Sequence, residues 1–264
     1  DITIIGTLDL TGSSDYWIVD AAGAAADVTM TMGSSTASGT IESNDADRFR
    51  LNTHSSGKCI IQGASSLFPC NVTGNDWKWD NAAGAAGTEL ANMNFQVAVD
   101  TDTGTGNAVK ITLTGDCEFD AVTVSSGDTL DLNGQRMECS GTLTNNGTID
   151  YDGLIVTSGT FNDDGTDNNL ASCDIIMTAA QTNVDSPLSG STLPRTLMIN
   201  TGTGTTTTLD GRVGTNTIVA SGKLDQSHGD SYATPTNVTI ATGGELDGDS
   251  KTLTVAGDFT TSGG

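Results

Sequence analysis

From about residue 108 the apolar residues come in short alternating runs, VKITL, EFDAVTV, TLDL, RMEC, GTLT, GTIDY and LIVTSGTF, each with one apolar face. Between them stand SSGD, LNGQ, TNNG, YDG and NDDG, built from the Gly, Asn and Asp that accept positive φ at little steric cost. Strands this short, with a corner every six to eight residues, are shorter than sandwich strands usually are. The pattern predicts an all-β chain wound as a parallel β-helix, a solenoid of stacked coils.

An internal repeat sharpens that reading. VTVSSGDTLDLNGQRMECSGTLTNNG (Val122 to Gly147) aligns without gaps on VTIATGGELDGDSKTLTVAGDFTTSG (Val238 to Gly263) at an offset of 116, with eight of 26 positions identical. The apolar positions stay apolar: Val124 with Ile240, Met137 with Leu253, Cys139 with Val255, Leu143 with Phe259. A partial copy, TIVASGKLD (Thr217 to Asp225), begins 21 residues before the last one. A coil of 20 to 24 residues fits this spacing, and 116 is close to five such coils. Val122, Val124, Met137, Cys139, Leu143 and their partners are expected to point inward, with Cys117 and Cys139, 22 residues apart, stacked on adjacent rungs.

Composition supports a solenoid and limits function. Ten Lys plus Arg against 33 Asp plus Glu give a net charge of −23, and the cations are scattered singly, so nucleic acid is excluded as a partner and anionic membrane surfaces are disfavoured. Five Glu and five Lys leave little for helices, while 33 Gly and abundant Thr, Ser, Asn and Asp dominate. Stacked coils bury one narrow continuous core with few large side chains, which suits so lean a chain. No stretch of 18 consecutive apolar residues offers a membrane span. A start at Asp1 and an end just after a half-finished repeat are expected of a piece of a longer product.

Residues 1–105 differ in texture. YWIVDAAGAAADVTM (Tyr16 to Met30) and WKWDNAAGAAGTELANM (Trp77 to Met93) resemble each other, and DRFRL and GKCIIQG lie between them. This part is expected to be a β-rich cap or broader coils, joined through TDTGTGN (Thr101 to Asn107) to solenoid repeats over 106–264.

No motif amounts to an enzymatic signature. Cys59, Cys70, Cys117, Cys139 and Cys173 form no C-x-x-C pair; they read as small buried hydrophobes, with a Cys59–Cys70 disulfide as the alternative in an oxidising setting. Asp100, Asp102 and Gly104 lack the remaining acids of a calcium loop, and Asp163, Asp164 and Asp167 read as solvated turn carboxylates. Gly243-Gly244-Glu245-Leu246 departs from the solenoid calcium repeat at its fourth position. Asp150 and Asp152 flank Tyr151 and are the carboxylate pair to test for glycosidase chemistry. His54 and His228 sit in no nucleophile motif, and the sequons at Asn71, Asn146 and Asn237 are what a Thr- and Asn-rich chain produces. Trp17, Trp77 and Trp79 offer either core or subunit-interface packing or a sugar-stacking platform. No catalytic, cofactor-binding or metal-binding residue is therefore assigned.

The repeats VTVSSGDTLDLNG and LTVAGDFTTSGG resemble the degenerate strand-turn coils of β-helical virion proteins of tailed phages, marine ones among them: fibre, spike or capsid-attached proteins. They also resemble bacterial surface adhesins. The resemblance covers about 108–264 and implies a homotrimeric or otherwise multimeric appendage, on a virion or outside the cell, in contact with other surface proteins and with glycan. A prokaryotic adhesin or filament subunit is the alternative; a β-helix enzyme cleaving polysaccharide is the third reading, and Arg136 and Arg195 lack the surroundings of a lyase base.

Overall fold

The structure is a computed structural model describing residues 1–10, 17–20, 27–43, 49–52, 57–74, 77–78, 87–101, 108–180, 192–208, 214–225, 234–248 and 252–262. The chain is all-β and winds into a parallel β-solenoid: among the described residues the named strands all pair in parallel, each coil laying its strands on those of the coil before. One sheet has eight strands, from Ile2–Ile4 through Val28–Met32, Cys59–Gly63, Thr88–Ala91, Lys110–Leu113, Thr129–Asp131 and Thr148–Asp150 to Thr166–Asn168. A second sheet runs from Thr7–Asp9 to Phe259–Thr261 along the whole described stack.

Alternation along each strand decides what is buried. Met93–Asp100 places Met93, Phe95, Val97 and Val99 inside and the residues between them outside, the period-2 pattern of a sheet covered on one face. Parallel register then stacks like on like. Ile41, Val72, Phe95, Phe119, Cys139, Thr157, Met177, Ile199, Val219 and Ile240 form one column of directly paired residues. Opposite it, Met30, Ile61, Leu90 and Leu113 form another. Apolar burial of this kind contributes about 1.5–3 kcal/mol per large side chain.

Coil length changes along the stack. Paired residues lie 28 to 33 apart in the first coils, as in Ile2 with Met30 and Leu8 with Ile41. From Cys70 onward the separation is 17 to 24, as in Phe95 with Phe119 and Leu130 with Ile149. At the shorter corners Asn92 (φ 54°) and Asn133 (φ 48°) take the left-handed turn. Each Nδ2 donates back to the preceding coil, to the carbonyls of Gly63 and Leu113. The eight-stranded sheet stops where an inward position becomes Asp167, stacked on Ile149. The turn Leu170–Ser172 follows, with Leu170 buried.

The repeat at offset 116 is a repeat of register: Val122 pairs with Leu143, and Val238 pairs with Phe259. Val122, Val124, Met137, Cys139, Leu143 and Val238 are buried as expected. Two expectations need correction. Cys139 pairs with Phe119, while Cys117 pairs with Met137, because this coil closes in 20 residues; both thiols face inward but two positions out of step. In the later copy Ile240, Leu253 and Val255 are half-buried and Phe259 is 54% exposed; Phe259–Thr261 is the last described strand of the sheet, with no described strand beyond it.

Candidate functional site

The outer face of the second sheet carries a groove of about 270 Å³ over three rungs. Met93–Asp100 contributes Asn94 and Gln96, Cys117–Val124 contributes Glu118 and Asp120, and the next coil contributes Glu138 and Ser140. Asn94, Glu118 and Glu138 are in direct register. The concavity has a local cause. Between Phe95 and Ala98 one extra residue is accommodated against the neighbouring strand, a bulge that bends it. On the following coil the eight-residue strand is answered by two short ones, Arg136–Cys139 and Leu143–Asn145. The break falls at Gly141, where any Cβ would collide with the carbonyl of Asp120.

Stacked rings underlie the groove. Phe95 and Phe119 lie 5.0 Å apart at 4°, and Trp77 meets Phe95 edge-on at 5.8 Å. Glu118 and Glu138 sit one strand spacing apart, about 4.8 Å in a sheet. The guanidinium of Arg136 pairs with Glu138 and offsets the repulsion between the two carboxylates. Ser140 Oγ donates to Asp120 Oδ1 at 3.3 Å. Amides, carboxylates and a hydroxyl on one concave face make a donor and acceptor array matched to a hydroxyl-rich ligand. Among the described residues no group of three or more His, Cys, Asp or Glu is arranged to hold a metal ion.

Asp150 and Asp152 lie elsewhere, at the end of the eight-stranded sheet. Tyr151 between them is fully buried, so both carboxylates face outward. Asp150 accepts from Asn169 Nδ2 at 2.8 Å and is in register with Asp131. Partial burial, then the charge of Asp150, raises the Asp131 carboxyl above its ordinary range. Arg195 lies outside the groove, its Nε donating to Asp174 at 2.9 Å. Trp77 is buried in the core, which removes it from any sugar-stacking surface. Trp79, Asp102, Gly104, His54 and His228 lie outside the described residues, as do the side chains of Trp17 and Asp163. Asp164 is exposed, and Gly244–Asp247 is a strand. Asn237 is engaged in an amide ladder, donating to Asn216 Oδ1 at 2.8 Å.

All five cysteines are buried free thiols. Burial pushes Cys70, Cys117 and Cys173 up to about 12 and Cys139 up to about 11. Those four thiols therefore stay protonated at neutral pH.

The groove escaped the sequence reading. Its signal was the outward acids of EFDAVTV and RMEC, Glu118 and Glu138, spaced one coil apart. The fold places the chain among parallel β-solenoid proteins. No protein-family model, curated protein or solved structure matches it.

Proposed function

We propose that the chain is a structural, multimeric, non-enzymatic component of a virion or of an extracellular surface assembly. The observation that carries this reading is the unbroken inward column from Ile41 to Ile240, ten residues paired in register over ten successive rungs. At about 4.8 Å per rung such a column is a rigid element on the order of 45 Å long. Acidic outer faces keep such rods dispersed. Antibodies against the chain, applied to particles and cells that carry it, are expected to label the particle exterior or the cell surface. Signal confined to the cytosol overturns the proposal.

The groove supports a second element, contact with a neutral glycan; the net charge of −23 disfavours an anionic one. Neutral oligosaccharides should bind the wild-type protein and lose affinity with Glu118→Gln. Turnover of a polysaccharide that disappears in Glu118→Gln or in Asp150→Asn/Asp152→Asn would promote the enzyme reading instead.

A further inference from the structure

The outward column that supplies Asn94, Glu118 and Glu138 to the groove changes character farther along. Val156 pairs with Glu138, and Ile176, Met198 and Ile218 follow in direct register before the column returns to Thr239. Four apolar side chains in a row thus stand half-buried on the outer face, with polar residues at both ends of the row. The adjacent outward column reads Leu154, Asp174, Thr196 and Asn216. Its one charge, Asp174, is bound by Arg195.

We propose that this face is the lateral contact through which a second copy of the chain docks side by side; the inference rests on the multimeric reading above and assigns its surface. The argument for a second copy is charge. A chain of net −23 repels itself over most of its surface, and a cationic partner would seek the acidic faces. Here, across four rungs, Asp174 and Arg195 cancel and the remaining positions are uncharged. This is where two acidic rods approach without repulsion and gain from contact. Shape agrees with charge. The column repeats at the strand spacing, so a rotation axis parallel to the solenoid lays apolar column on apolar column with the same residues on both sides, a self-complementary contact. One column is small beside the roughly 800 Å² per partner of a stable interface, so the uncharged flanks, Leu154 among them, have to join it.

The test is the mass of the full chain by light scattering and sedimentation across micromolar concentrations. Wild type is expected as a multimer, and Ile176→Lys/Met198→Lys at the monomer mass of 26.9 kDa with unchanged far-UV ellipticity. Thr112→Lys, on the outer side of the other sheet, is the control that keeps the multimer. A multimeric wild type whose double variant is also multimeric overturns this surface and leaves the multimeric reading standing. A monomeric wild type overturns both. Should the double variant misfold, Met198→Cys decides, since it adds a thiol to a chain whose own are buried. Its maleimide labelling should be slow in the multimer and accelerate on dilution, and equal rates at both concentrations overturn the proposal.

Discussion

Alkaline pH is the most searching perturbation of this core, because the stack holds thiols where most solenoid positions hold branched aliphatics. Cys117 and Cys173 have ordinary thiol values of 9.0 in the unfolded chain and about 12 when folded, with burial as the leading cause. A pKa raised by folding stabilises the folded state fully below the unfolded value, and that stabilisation is lost as pH rises from there toward the folded one. Between pH 7 and 10 the unfolded thiols ionise while the folded ones stay protonated. The loss is about 1.4 kcal/mol per thiol for each pH unit above the unfolded value, or about 3 kcal/mol for the pair at pH 10. Other groups titrate in the same window, so the measurement is a difference. Urea unfolding followed by far-UV ellipticity at pH 7 and pH 10 is compared between wild type and Cys117→Ala/Cys173→Ala. The double variant starts less stable, having lost packing, but should lose about 3 kcal/mol less than wild type on going to pH 10. Parallel losses in the two proteins would refute the buried-thiol reasoning.

Other substitutions probe single links in the stack. Thr207 is fully buried on Leu224 with no hydrogen bond to its hydroxyl among the described residues, so Thr207→Val should raise stability by about 1 kcal/mol, seen as a higher urea midpoint. Asp128, 5% exposed, accepts from Thr101 Oγ1 at 2.6 Å and from the Val109 amide at 2.8 Å; Asp128→Ala strands both donors and should cost about 2–3 kcal/mol by the same assay. Val124→Asp buries a carboxylate in an apolar column and should cost several kcal/mol, read as loss of soluble folded protein. Gly141→Ala should destabilise the corner beside the groove and weaken oligosaccharide binding together with thermal stability, whereas Glu118→Gln should change binding alone.

The fold was legible where the residues obey alternation. EFDAVTV, TLDL, RMEC and GTIDY each carry one apolar face, and a repeat that keeps Val122 over Leu143 and Val238 over Phe259 is a statement of register as much as of sequence. Coil length was less legible. Gly, Asn and Asp turns tolerate insertion without disturbing the faces, so Cys117 and Cys139 could be placed on neighbouring strands but not in their exact pairing. The outward Glu118 and Glu138 mark the groove's wall in the sequence, but its concavity was hidden because it depends on a bulge between Phe95 and Ala98, which leaves no distinctive residue behind.

The docking face announces itself as a violation of alternation. LIVT, DIIM and TLMIN are strands in which an outward position, Val156, Ile176 or Met198, is as apolar as its inward neighbours. A continuous apolar run is the mark of a strand covered on both faces, whereas a solenoid wall covers one. In EFDAVTV and RMEC the same outward column carries Glu118 and Glu138, so nothing in the coil itself requires a hydrophobe there. Inward burial is already met by Ile155, Ile175 and Leu197. The outward run is therefore not accounted for by coil closure or by the inward core, and its termination at Thr239 in the same column bounds the length of whatever covers it to about four rungs.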